Sequence, residues 1–345
     1  MQKRRPPQPS HQRPLSSDIA TNNETWPGFV NTLEHRRFAE FCDACRRYKY
    51  IGLCYGPSGV GKTLSAQRYS RCEEFRAADP WRDESSRRPA LDTVFYTPPV
   101  VNSPGRIEAD VSHTREKLTD IARRPVRLEA AARLKSISER DEHHAQKALY
   151  THDWLKGAIP KLRPTYGQVS RKYGEKEDRI RDPTTLIVID EADRLRMASL
   201  EQVRAIFDAQ EIGLILIGMP GLEKRLARYP QFYSRIGFVH EFRPLGAPEV
   251  RHLLQQHWAP AGVKLPQTPL DSETVAVIIR ATGGNFRLLN RLLTQIQQIL
   301  DINALEQITK AVVEAARERP GDRTGLKLAK TVVYVTKSQE PYLRG

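Results

Sequence analysis

The run Gly56-Pro57-Ser58-Gly59-Val60-Gly61-Lys62-Thr63 satisfies the pattern G-x-x-x-x-G-K-[ST] at every fixed position. That pattern is a physical specification. Glycines let successive backbone N–H groups turn inward around phosphate oxygens, a lysine reaches the β- and γ-phosphates, and the hydroxyl after it is offered to Mg²⁺. Here Lys62 and Thr63 take those two places, and the nucleotide-binding run is Gly56, Pro57, Ser58, Gly59, Val60, Gly61, Lys62, Thr63 and Leu64. The loop needs a buried strand before it and a helix after it, so that the helix N-terminus aims its partial positive charge at the anion. Ile51 to Tyr55 reads as the strand and Gly61 to Arg71 as the helix.

A second acidic element completes the reading. Leu186-Ile187-Val188-Ile189 is an apolar strand ending in Asp190-Glu191. At the carboxyl edge of a sheet Asp190 would join Thr63 in holding Mg²⁺, and Glu191 would orient and activate water. No N-K-x-D base-reading motif occurs, which favours ATP over GTP. Further strands are expected at Val94 to Thr97 and Leu214 to Ile217. Strands alternating with helical stretches imply an α/β fold, a parallel sheet flanked by helices.

The 345 residues divide by composition. Residues 1–24, rich in Pro, Gln, Ser and Arg, are expected to be a disordered basic arm. Thr32 to Tyr48 carries Leu33, Phe38, Phe41 and Cys45 at helical spacing and leads into a core over 25–244. Within it, 101–182 reads as a long charged helical insertion, with Pro104, Pro125, Pro160 and Pro164 as breaks. Glu273 to Ala281, Phe286 to Leu300 and Ala304 to Arg319 are expected helices of a small α-helical lid over 245–319, followed by a basic tail, 320–345, in which Thr331 to Thr336 has strand character. Nothing in the chain resembles a membrane span, and Met1 to Pro14 lacks the apolar stretch of a signal peptide, so a cytoplasmic, bacterial-cytosol or nucleoid location is expected. Cys42 and Cys45 form a CxxC pair on a helix with no second pair to complete a zinc site, which favours buried or idle thiols over metal or redox chemistry.

The order of these motifs, continued by Ser234-Arg235 and Gly283-Gly284-Asn285-Phe286-Arg287, resembles an AAA+ ATPase. Within that class the chain is similar to the transposition regulators of the TniB, TnsC and MuB kind, with IstB and the helicase loaders as more distant relatives. The phrases that carry this are Phe38 to Tyr50 running into the P-loop, Leu216-Ile217-Gly218-Met219-Pro220-Gly221-Leu222, and Tyr229-Pro230-Gln231-Phe232-Tyr233-Ser234-Arg235. The resemblance covers about residues 30 to 319. It implies that Arg235 is an arginine finger reaching the γ-phosphate of a neighbouring subunit, and that Arg287 is a lid-borne sensor 2 contacting the nucleotide of its own subunit. The catalytic set is then Glu191, Arg235 and Lys62. One departure stands out: Met219 follows Gly218 where many AAA+ proteins carry a polar sensor 1 residue, and a thioether is a poor hydrogen-bond partner.

Lys+Arg 55 against Asp+Glu 41 leaves a net charge of +14, which suits a polyanionic partner or a solvated basic surface. Arg106, Arg115, Lys117, Arg123, Arg124, Arg127, Arg133 and Lys135 crowd the insertion, followed by Lys161, Arg163, Arg171 and Lys172. The resemblance implies that this region faces double-stranded DNA through phosphates. Pairing with Glu116, Asp120, Glu129, Glu139, Asp141 and Glu142 along exposed helices is the competing use. The function expected is an ATPase that forms a ring or helical filament on DNA and recruits or activates a transposase, with a target-selection protein as a further partner. A helicase loader or other DNA-remodelling ATPase, and a protein-only signalling or secretion switch, are the alternatives.

Overall fold

The computed structural model describes residues 29–78, 90–151 and 165–317, with side chains of 141–151 excepted. The expected arm (1–24), Lys161, Arg163, Pro160, Pro164 and the tail (320–345) lie outside these residues.

Five strands, β1 (Ile51–Tyr55), β2 (Thr93–Tyr96), β3 (Leu186–Ile189), β4 (Gly213–Gly218) and β5 (Ile236–Glu241), form one sheet in the order β2-β3-β4-β1-β5. Every pairing is parallel. Successive side chains of a strand point to opposite faces, and here both faces are covered, which is why the central strands read as unbroken apolar runs. Leu53, Ile187, Ile189, Leu214 and Leu216 belong to one buried cluster, with residues of α4 (Pro104–Thr151), α6 (Met197–Asp208) and α7 (Leu222–Ala227). Cys54, Leu186, Val188, Ile215 and Ile217 belong to the other, with α1 (Leu33–Tyr48) and α2 (Lys62–Tyr69), which the short α3 (Cys72–Ala77) follows.

α1 starts where Thr32 accepts a hydrogen bond from His35 N at 3.0 Å, and it buries Phe38, Phe41, Cys42 and Cys45 along one stripe. All four cysteines are buried free thiols. Burial pushes Cys45 and Cys72 up to about 12, the opposite of an activated thiol.

Pro104 opens α4, but Pro125 lies inside it, so the break expected there does not occur. A proline costs a helix one backbone bond and crowds the preceding turn. That cost is met here by packing: α4 lies against α6 and against α5 (Tyr166–Asp178). Around Pro125, Arg127 bridges Asp120 (3.0 Å) and Glu177 of α5 (2.7 Å). β5, α6, α7 and α9 (Ala247–Gln255) are among the elements with no counterpart in the expectations from sequence.

The chain divides into two compact units. Thr32–Val250 and Ile278–Leu289 form the first, which holds the sheet; Arg251–Val277 and the described residues from Asn290 onward belong to the second. The turn 283–285 lies with the sheet because Leu245 N donates to Gly284 O at 2.9 Å and Arg287 N to Gly59 O at 3.1 Å. The second unit is helical. It takes parts of α9, α10 (Ser272–Thr282) and α11 (Phe286–Asn303), and all of α12 (Lys310–Arg317), which buries Val312, Val313 and Ala316. This last helix starts later than the expected Ala304.

Candidate functional site

The P-loop connects β1 to α2. Gly61 caps α2 at φ 107, and Ser65 N donates to Gly61 O at 2.9 Å. Lys62 Nζ donates to Gly56 O (2.6 Å) and Pro57 O (2.8 Å), folding the ammonium back across the loop. Gly59 sits at φ 83, and a Cβ there would lie 2.5 Å from Asn285 Oδ1, so glycine is required both by conformation and by the close approach of the 283–287 segment. That approach is polar. Asn285 Nδ2 donates to Ser58 O at 2.7 Å, and Arg287 Nη1 donates to Ser58 Oγ at 2.5 Å. Arg287, expected on the lid, stands at the first turn of α11 within the sheet-bearing unit.

Beneath the loop, Asp190 is 2% exposed at the end of β3. Its Oδ1 accepts from Glu191 N at 2.9 Å, and the Thr63 hydroxyl hydrogen-bonds the same carboxylate. Burial raises the Asp190 pKa, against the opposing pull of Thr63, the Glu191 amide and Lys62. Burial likewise lowers the Lys62 pKa, while the charges of Asp190 and Asp193 resist it. A buried carboxylate that is costly to ionise, bonded to a hydroxyl, fits a hard divalent cation. Among the described residues no group of three or more His, Cys, Asp or Glu side chains could hold a metal ion, so Mg²⁺ bound at Thr63 and Asp190 would draw its remaining ligands from phosphate and water.

Glu191 adopts φ 51, a left-handed conformation costly for a residue with a Cβ. Its carboxylate is ion-paired to Arg194, whose Nη1 also donates to Pro98 O at 3.1 Å. Beyond Arg194 the turn is tied to α7, where Arg225 donates to Asp193 O (3.0 Å) and to Leu195 O. Met219, at the end of β4, is 42% exposed, and its N–H donates to Asp193 Oδ2 at 2.7 Å.

Arg235 follows α8 (Pro230–Tyr233) and is placed elsewhere. Its backbone O accepts from Ile51 N at 3.0 Å, at the first residue of β1, whereas the P-loop leaves the last. The strand between them is five residues, roughly 16 Å at the usual rise. The Arg235 side chain pairs with Asp208 at 2.5 Å and also donates to Gln231 O, and Arg204 shares Asp208 at 2.6 Å. The structure therefore brings Lys62, Thr63, Asp190 and Arg287 together, and keeps Arg235 at the opposite edge of the sheet.

The basic row of the insertion is largely spent on internal pairs. Arg115 meets Asp182 at 2.5 Å, Arg127 meets Asp120 and Glu177, Lys135 meets Glu139 at 3.8 Å, and Arg171 meets Glu175 at 3.1 Å. Lys117 lies over the Phe75 ring, 4.5 Å from its centroid, and Arg124 is buried. Arg133, Lys172, Arg179 and Arg181 are exposed.

Asp193, Arg194, Asp208, Arg225 and Asn285 were not singled out as site residues. Asp193 and Arg194 sit in the same Asp190-Glu191-Ala192-Asp193-Arg194 run as the acidic pair, which could have drawn notice; Asp208 and Arg225 carry no local signal.

A family model described as an AAA domain matches residues 45–226, more than half of the chain. A Staphylococcus aureus protein described as "Potential ATP-binding protein" is 39% identical over 298 residues, spanning 84% of this chain and 95% of that relative. Among solved structures, DNA-bound Aeropyrum pernix ORC1 aligns at 21% identity and TM-score 0.44, covering 82% of this chain and 63% of its own. The Aeropyrum pernix ORC2 protein aligns at 14% identity and TM-score 0.47, covering 86% and 69%. The Thermotoga maritima RuvB Holliday junction branch migration motor aligns at 16% and 0.43, covering 82% and 67%. With its P-loop, its five-stranded parallel sheet and the matched span from Cys45 to Leu226, this chain belongs to the AAA domain family.

Proposed function

We propose that this protein is an ATP-dependent, DNA-binding AAA+ regulator of transposition, which oligomerises on duplex DNA and recruits or activates a transposase at the target site. The observation that carries the reading is the separation of its two arginines. Arg287 touches Ser58 of the P-loop, whereas Arg235 is anchored at the far end of β1. An arginine there cannot serve its own nucleotide, and it suits the γ-phosphate of a neighbour in a head-to-tail assembly, ring or filament.

In this reading the backbone N–H groups from Gly56 to Leu64 and the Lys62 ammonium hold the ATP phosphates. Thr63 and Asp190 hold Mg²⁺, which when bound offsets the charge of the phosphates. Glu191 leaves Arg194 and takes the proton of the attacking water, Arg287 contacts the nucleotide of its own subunit, and Arg235 of the next subunit stabilises the transferring phosphoryl group. ATP then joins subunits and hydrolysis releases them. The S. aureus relative's description as ATP-binding supports the nucleotide.

Exposed Arg133, Lys172, Arg179 and Arg181 on and after the α4–α5 insertion are the residues offered to DNA phosphates, a sequence-tolerant and salt-sensitive contact. The net charge of +14 supports this use. Transposition is favoured over other DNA work by the sequence resemblance at Leu216 to Leu222 and Tyr229 to Arg235. The site of action would be the bacterial cytosol.

Electron microscopy of the protein with duplex DNA and a slowly hydrolysed ATP analogue tests the reading. Rings or filaments on DNA are expected, together with stimulation of a transposase in a strand-transfer assay. A monomer indifferent to DNA, or an assembly that engages a replicative helicase and leaves transposase unaffected, would overturn it.

A further inference from the structure

The end of β4 lacks the polar side chain that an ATPase of this kind would use to hold the attacking water, since Met219 stands there and its side chain is exposed. The same place is nevertheless polar, because a carboxylate enters it from the neighbouring turn. Asp193 Oδ2 accepts from Met219 N at 2.7 Å. The strand end leaves room for this entry: a Cβ on Gly218 would lie 2.7 Å from Asp193 Oδ2 and 2.6 Å from Leu222 Cδ2, so a larger residue would force one of these side chains to shift. The turn that carries Asp193 is fixed from behind by Arg225, which donates to the backbone oxygens of Asp193 and Leu195.

Asp193 belongs to the phosphate side of the sheet. Gly218 pairs with Tyr55, the residue before the P-loop, and Gly56 N donates to Gly218 O at 3.4 Å. The charge of Asp193, with those of Cys54 and Asp190, opposes the lowering of the Lys62 pKa by burial. Asp193 is exposed, its Oδ1 accepts no hydrogen bond from any described residue, and only Oδ2 is engaged by the Met219 amide. A carboxylate held by one oxygen, with the other open, can accept a hydrogen bond from water at a fixed position.

We propose that Asp193 supplies the polar group missing at the end of β4: anchored through Oδ2 by the Met219 amide, it orients through Oδ1 the water that Glu191 deprotonates. The inference rests on the ATPase reading given above and names a further residue of that site. Asp193 is a positioning residue in this role. The proton goes to Glu191, and none is transferred to Asp193.

The test separates orientation from anchoring. Asp193→Asn keeps an oxygen to accept from Met219 N–H and removes the charge; Asp193→Ala removes both. ATP affinity, steady-state hydrolysis with duplex DNA, and the thermal midpoint are measured on the full chain for the parent and both variants. Orientation by the carboxylate predicts that Asn and Ala each lower kcat about tenfold to a hundredfold, the scale of losing one positioned polar group in a transition state, with ATP affinity and thermal midpoint kept in the Asn variant. An Asn variant with parental kcat, alone or beside a slow Ala variant, would reduce Asp193 to a loop anchor and overturn the proposal. So would an Asn variant whose loss lies in ATP affinity with kcat unchanged. A parent chain that binds ATP and never hydrolyses it, with or without DNA, is a different result, and it overturns the ATPase reading itself.

Discussion

The two edges of the sheet treat their arginines in opposite ways. At the carboxyl edge, the Gly283-Gly284 turn delivers Arg287 onto Ser58, and Asn285 adds a second bond to the same residue. At the amino edge, Arg235 is fastened to Asp208 and Gln231, with its backbone tied to the first residue of β1. A residue that works on its own subunit's ligand can be brought into place by the folding of a single chain. On the proposed reading Arg235 works on a neighbour's ligand and has no target until the neighbour arrives, and in the single chain its charge is paired with Asp208. An exposed ion pair of this kind is worth only about 0–1 kcal/mol, so Asp208 holds Arg235 without committing it.

The largest effect should come from the carboxyl edge. Lys62→Ala removes the only lysine of the P-loop and is expected to lower ATP affinity more than about a hundredfold, read by equilibrium titration with a fluorescent ATP analogue. Unchanged affinity would dissolve the distinction between the edges, because no nucleotide would lie at the one described. Arg235→Ala should leave ATP affinity within about threefold while lowering DNA-stimulated hydrolysis about a thousandfold, the low end for a finger supplied by a neighbour. The comparison sharpens in a mixture. Glu191→Gln and Arg235→Ala chains, each inactive alone, should recover hydrolysis when combined, since about a quarter of the interfaces in a random one-to-one assembly would pair an intact Glu191 with an intact Arg235. No recovery would place both residues in one subunit's site.

Arg287→Ala is expected to weaken ATP binding about tenfold, the equivalent of about 1.4 kcal/mol and of one charge-assisted hydrogen bond. Parental affinity in that variant would mean that the Ser58 contact only braces the loop. The smallest effect belongs to Asp208→Asn. Releasing Arg235 from its resting partner should raise the rate of assembly-dependent hydrolysis about twofold to fivefold. A fall instead would show that Asp208 holds the α8–β5 turn in the shape the interface needs.

Much of this site could be read locally because its chemistry is local. Gly56 to Thr63 is contiguous, and its geometry is dictated by glycines at fixed offsets beside a lysine and a hydroxyl. Asp190-Glu191 closes an apolar run that could only be a buried strand. β3 falls on the expected residues, and β4 extends the expected strand by one residue at each end. β5 escaped notice because its burial alternates at an edge, which blurs an apolar run. Pro125 misled because the penalty of a proline is local while the compensation is not: α5 and α6 pack along α4, and Arg127 ties the segment to α5. The row of insertion arginines showed its positive sign but not the acids that consume it, which lie up to 67 residues away, as Asp182 does from Arg115.

By itself, then, the sequence determined the phosphate loop, the acidic strand end and the parallel α/β class, because each depends on residue types at fixed short spacing. Only the tertiary structure decided that Arg287 meets Ser58, that Asp208 holds Arg235 at the far edge, and that Asp193 accepts from the Met219 amide. Those three pairings join segments 229, 27 and 26 residues apart, and no periodicity or propensity encodes which of several available partners a charged side chain will meet once the strands are in register.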